Sequence, residues 1–248
     1  MRAPSAASLA GRVALWLGPV PEYPAVPADR RTLDLGGLEL PLRATVAVLV
    51  AATAVSLDWS RTFIPQAILD LDRAPEAMRF QAVERLVLFG LLPLAIVVLG
   101  FRDRPARYGL GLGNWRLGLP LAAIGVAVVG PIVVWLAGRP EFAAYYGPSR
   151  APLPSLLVTN LLDLPPTEFL IRGFLMFALL RVVGPIAVVV ATLPFVFSHL
   201  SKPEIELLST FFGGLVYGWL DWRTGSSWWS AAAHVALVTL LLASVPPA

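Results

Sequence analysis

PLPSLLVTNLLDLPPTEFLIRGFLMFALL, residues 152–180, is the stretch that decides the fold. It is longer than the roughly 20 apolar residues that cross the hydrocarbon core of a bilayer. Yet Asp163, Glu168 and Arg172 lie inside it, and Pro165-Pro166 interrupts it. Ionisable groups in a bilayer cost about 2.5–3.5 kcal/mol each on insertion scales, so those that persist there are functional suspects. A long apolar segment carrying such groups predicts a membrane helix with a task beyond anchoring.

Working outward, apolar segments of spanning length recur at 42–57, 80–99, 117–137, 185–200, 206–222 and 227–245. With 152–180 counted as one span, or as two meeting at the prolines, the prediction is an all-α polytopic membrane protein of seven or eight transmembrane helices. Composition agrees: 57% of residues are hydrophobic and 14% charged, against about 45–50% and 25% in soluble domains. Disorder is excluded by the same balance. The net charge of +3 comes from 18 arginines and the single Lys202 against 16 acids. In so apolar a chain these arginines read as topology signals in loops, and no nucleic-acid partner is expected. Their distribution favours a cytoplasmic N-terminus, and the bias to Arg, Ala, Gly and Pro fits a bacterial inner membrane. With no cysteine, disulfides, thiol catalysis and Cys-held zinc or iron–sulfur clusters are out. Residues 1–40 are mixed and proline-rich. The apolar run Ala7–Gly18 is short, is cut by Arg12 and is not followed by a signal-peptide cleavage site. They are predicted to form a cytoplasmic or interfacial arm, with 41–248 a single membrane-embedded domain.

The ionisable groups are unevenly placed. The first 150 residues put none near the centre of a predicted span, whereas Asp163, Glu168, Arg172, His199, Glu206 and His234 lie in or at the ends of four later ones. Both histidines of the chain belong to this set. Glu168 and Arg172, four apart, share a helical face and form either a neutralised couple or half of an acid–base site. His199 follows Phe195 by one turn and is either an interface histidine or a catalytic one. His234 lies deeper, beside Ala231–Ala233, which admit a close helix neighbour. Gly213, Gly214 and Gly218 make a small-residue face suited to helix packing, and Trp219, Trp222, Trp228 and Trp229 an interfacial belt. Glu206 either benefits from a helix N-terminus or points at the histidines. One carboxylate beside an arginine and two histidines suits general-base activation of water and oxyanion stabilisation, that is, hydrolysis of an amide or ester in the bilayer. Two histidines and a glutamate are also a zinc donor set.

Three motifs occur in order on separate apolar helices: Thr167-Glu168-x-x-x-Arg172, Phe195-x-x-x-His199 and His234-x-x-x-Val238. Together they resemble the CPBP family of CAAX-processing and bacteriocin-processing intramembrane proteases, over about residues 153–245. The continuation His199-Leu-Ser-Lys202-Pro203-Glu-Ile-Glu206, the upstream segments 101–115 and 141–146, and the form x-Glu-Phe-x-x-Arg-Gly of the first motif look like a bacterial branch of it. The resemblance implies a glutamic intramembrane endopeptidase. Its substrate would be a membrane-anchored or lipidated peptide or protein, and membrane lipid its surroundings. Two positions depart from the pattern. Thr167 stands where the family has the first glutamate, credited with activating water together with the histidine of the second motif. Val238 replaces an asparagine that assists the last histidine.

The expectation is therefore an endopeptidase with Glu168 as general base, Arg172 as the orienting charge, His199 relaying the proton, His234 at the oxyanion and Glu206 as a second carboxylate. No cofactor is expected, zinc being possible but not favoured. A catalytically silent membrane scaffold is the alternative raised by Thr167 and Val238. A small transporter is the other, against which stands the lack of an inverted repeat.

Overall fold

In lipid every backbone N–H and C=O needs an internal partner, so apolar segments of this length become helices. The computed structural model describes Val13 and residues 16–246; most of the apolar run Ala7–Gly18 lies outside the described residues. Seven long helical segments follow one another: α1 (Leu42–Trp59), α2 (Pro75–Gly100), α3 (Trp115–Ala137), α4 (153–183), α5 (Ala187–Phe197), α6 (Glu204–Thr224) and α7 (Trp228–Ser244). Each of the seven apolar segments read from the sequence falls on one of them. The chain is an all-α polytopic membrane protein. By length and composition four stretches are fit to cross a membrane: Leu42–Trp59, Pro75–Gly100, Trp115–Ala137 and Leu153–Phe197. At about 1.5 Å per residue, the 11 residues of α5 are too short to cross alone.

The prolines at 165 and 166 do not split the fourth segment. Both lie inside the α-helix Leu153–Glu168, which continues as a π-helix over Phe169–Met176 and returns to α-helix over Phe177–Val183. Two consecutive prolines remove two N–H donors, and a wider turn follows them. Such π segments gather at functional sites. α4 ends at Gly184, whose φ of +66° suits glycine, and Pro185 starts the next turn.

Every residue from Pro166 to Leu180 is buried, so α4 runs through the middle of the bundle. It packs against α2, α5 and α7, and α7 lies between α3 and α4. This placement explains how an apolar span carries Asp163, Glu168 and Arg172: they face protein, not lipid. Of the three glycines expected to pack, Gly214 and Gly218 of α6 meet α5, whereas a methyl group on Gly213 would have no neighbour within 4 Å. A methyl group on Gly214 would stand 2.6 Å from Thr192 Cγ2, and one on Gly218 2.8 Å from Val188 Cγ1.

One short element beside the helices is extended. Thr32–Leu35 and Leu38–Pro41 form an antiparallel hairpin, with Thr32 opposite Pro41 and Leu35 opposite Leu38. The chain leading into α1 is tied down by a buried ion network. Asp29 accepts from Arg43 Nη1 and Arg107 Nη2, each at 2.7 Å, and Asp103 accepts from the same two arginines at 2.8 and 2.5 Å. Burial alone would raise the Asp29 carboxyl. The Val26 N–H and the Arg107 and Arg43 guanidinium groups outweigh it and hold the pKa below the usual carboxylate range.

Candidate active site

The π-helical turn begins at the candidate site. Glu168 is wholly inaccessible to solvent. Its Oε2 accepts from Arg172 Nη1 and its Oε1 from His234 Nδ1, both at 2.7 Å. A buried carboxylate needs such compensation, and two charge-assisted bonds supply it. Arg172 is equally buried, and its Nη2 has no hydrogen-bond partner. The guanidinium instead lies 4.0 Å from the ring centroid of Phe195 and 5.5 Å from that of Tyr217, a cation–π arrangement that is stronger where water is excluded. Phe195 also separates the two histidines, its centroid 4.6 Å from that of His199 and 5.7 Å from that of His234. The spacing Phe-x-x-x-His thus has a physical basis. The aromatic floor and the imidazole lie one turn apart, and His199 Nδ1 is 2.7 Å from the carbonyl oxygen of Phe195. Because a carbonyl only accepts, Nδ1 carries the proton and Nε2 of the neutral ring keeps its lone pair.

His199, in the turn after α5, and His234, in α7, line one cavity of about 390 Å³. Asp58, Arg85, Asp163, Thr167 and Lys202 form its polar wall, and Val55, Trp59, Ile64, Ile68, Val238 and Leu242 its apolar one. Asp58 receives a fork from Arg85, Nε to Oδ1 and Nη2 to Oδ2, both at 2.8 Å, and a third bond from Gln81 at 3.1 Å. Arg85 Nη1 reaches across to Asp163, at 2.9 and 3.1 Å. Thr167 donates to the Asp163 carbonyl at 2.9 Å. Asn160, also at the cavity, donates to Thr239 Oγ1 at 2.8 Å.

Two assignments made from the sequence change. Glu168 does not line the cavity, and its oxygens accept from Arg172 and from His234. Its carboxylate instead fixes the tautomer and direction of His234. Glu206 does not join the histidines. It accepts from Lys202 Nζ at 2.9 Å and from the Tyr146 hydroxyl at 2.6 and 2.7 Å. Burial works against the Lys202 ammonium, but Glu206 and Tyr146 outweigh it and push its pKa above the usual lysine range. Burial likewise raises the Tyr146 phenol, which stays protonated and donates.

Asp221 is a buried neighbour of the site that the sequence reading missed. Wholly buried, it accepts from Ser230 Oγ at 2.5 Å and from the Ser230 N–H at 3.3 Å, holding the first turn of α7 and so the register of His234 one turn on. Its position in Gly218-Trp-Leu-Asp-Trp222, near the end of an apolar helix, was the available signal. Among the described residues no group of three or more His, Cys, Asp or Glu side chains is arranged to hold a metal ion. His234 gives its Nδ1 to Glu168, and His199 gives its own to a carbonyl.

Residues 149–240 match the family model described as type II CAAX prenyl endopeptidase Rce1-like. No curated protein and no solved structure matches the chain. The matched segment runs from the start of α4 into α7 and contains Asp163, Thr167, Glu168, Arg172, His199 and His234. Over this segment, well under half of the chain, the protein is therefore similar to the Rce1-like, type II CAAX prenyl endopeptidase family.

Proposed function

We propose that this protein is an active intramembrane endopeptidase. It would hydrolyse a peptide bond near the membrane-anchored or lipidated terminus of a protein or peptide, in a bacterial inner membrane. The observation that carries the reading is that the only two histidines of the chain line one cavity, each with Nδ1 engaged and Nε2 left over. His199, neutral with its lone pair on Nε2, takes a proton from water. His234, oriented through Nδ1 by the Glu168 carboxylate, presents Nε2–H of its imidazolium form to the developing oxyanion. Arg172 balances Glu168 so that the buried carboxylate remains ionised. The apolar wall of Val55, Trp59, Ile64 and Ile68 receives the hydrophobic part of the substrate.

The scheme is written without a cofactor. Reconstitution into liposomes with a farnesylated reporter peptide tests the reading. His199→Ala and His234→Ala are each expected to lower cleavage at least 10²-fold, the scale of general-base and oxyanion contributions, with the fold retained. Val238, which lines the cavity without a polar group, favours the silent-scaffold reading. Wild-type cleavage no greater than that of His199→Ala would establish it.

A further inference from the structure

The site as described has a base and an oxyanion donor but no carboxylate to hold the second hydrogen of the attacking water. We infer that Asp163 is that carboxylate: with His199 it binds and orients the nucleophilic water, doing from one helical turn earlier what a carboxylate at position 167 would do. The inference rests on the hydrolytic reading above and adds a catalytic residue to it.

Three observations carry it. First, the other carboxylates are taken or misplaced. Glu168 is outside the cavity, Glu206 is held by Lys202 and Tyr146, and both oxygens of Asp58 are occupied by the Arg85 fork and Gln81. Asp72, at the rim, has a side chain 69% exposed. Asp163 lines the same cavity as His199 and His234 and is bonded through a single guanidinium nitrogen, so acceptor positions remain on it. Second, its position is right. Thr167 lies one turn along α4 on the cavity face, its hydroxyl 3.5 Å from Asp163 Oδ1. Third, the charge balance is not that of a structural pair. Arg85 gives its Nε and Nη2 to Asp58 and only its Nη1 to Asp163, so Asp163 is a second carboxylate on one guanidinium, at a cavity inside a membrane bundle that Arg61, Arg73 and Lys202 also line. Such a charge is costly, and intramembrane charges of this kind mark function. Arg85 aims the carboxylate.

In the step itself, water bonded to Asp163 and to His199 Nε2 attacks the carbonyl carbon. An O–C bond forms, the carbonyl π pair moves to the oxygen facing His234, and the water proton passes to His199 Nε2. Collapse re-forms the carbonyl, breaks the C–N bond and delivers the His199 proton to the leaving amine. Asp163 stays a carboxylate throughout.

The test uses the full-length protein in liposomes with the farnesylated reporter, reading kcat and KM separately beside the thermal unfolding temperature. Asp163→Asn is expected to lower kcat at least 10²-fold with KM within threefold, and Thr167→Glu in that background to restore at least tenfold. Asp163→Glu keeps the charge and the Arg85 partner but moves the carboxylate by one methylene. It serves if Asp163→Asn does not fold, and it is expected to lose at least tenfold in kcat at unchanged unfolding temperature. Wild-type rates for Asp163→Asn or Asp163→Glu, with His199→Ala inactive, would overturn the role of Asp163 and leave the protease reading standing. A wild-type protein no better than His199→Ala would overturn both.

Discussion

Removing the Glu168 carboxylate separates a structural from a chemical role for it. Its oxygens accept charge-assisted bonds from Arg172 and His234, each at 2.7 Å in a site without solvent. Taking one partner from a buried ion pair costs about 3–5 kcal/mol, because the other charge is stranded. Arg172 already has one unpartnered nitrogen, so nothing nearby can absorb the loss. At about 2–4 °C per kcal/mol for a chain of this size, Glu168→Ala should lower the unfolding temperature by about 6–20 °C. Glu168→Gln keeps the shape and one acceptor but not the charge. Losing one bond to a charged group, about 1.5–3 kcal/mol, gives a fall of about 3–12 °C. Thermal unfolding in detergent micelles, read alongside cleavage, makes the comparison. Cleavage should fall in both variants because His234 loses its tautomer and direction. An unfolding temperature within 2 °C of wild type for Glu168→Ala, with cleavage abolished, would refute this reasoning and return Glu168 to the role of base.

Three further outcomes follow from the packing and electrostatics. Gly218→Val brings its Cβ to 2.8 Å from Val188 Cγ1, and overpacking of this kind costs about 1–3 kcal/mol; thermal unfolding should register the loss with α5 and α6 forced apart. Asp29, whose folded pKa is depressed, contributes stability above its unfolded value of about 3.9, and that contribution is lost as pH falls through the folded value. Asp29→Asn should therefore be less stable than wild type at pH 7, with the gap closing at acid pH in a series of melts. Cleavage should survive dialysis against a strong zinc chelator, and a loss restored by added zinc would contradict the metal-free scheme.

Much of this fold was legible because membrane helices declare themselves by length and apolarity, and α1 to α7 each fall on an apolar run. The ionisable residues in 152–180 were legible as a site for the same reason, since charges in a bilayer need compensation. Partner choice was not legible. Spacing placed Glu168 beside Arg172, but only the crossing of α4 and α7 gives its second oxygen to His234 and turns it away from His199. Tyr146 reaches Glu206 from 60 positions away in sequence, which no local pattern encodes, although Lys202, four residues before Glu206, was within local reach. Pro165-Pro166 suggested a break, yet burial on all sides and a π-helical turn carry the helix past them. The hairpin at 32–41 was legible and was missed. Leu33-Asp-Leu-Gly-Gly-Leu-Glu-Leu40 alternates with period two around a Gly-Gly turn, a signal overshadowed by the prolines before it.

The central claim is that water, activated at His199, cleaves a peptide bond in the cavity that His199 shares with His234. Mass spectrometry of a farnesylated peptide incubated in H₂¹⁸O with reconstituted wild type and His199→Ala tests it most directly. The expected result is a shortened product carrying one ¹⁸O at its new C-terminal carboxyl with wild type, and at least 10²-fold less of it with the variant. Equal yields from the two proteins, or no labelled product from either, would contradict it.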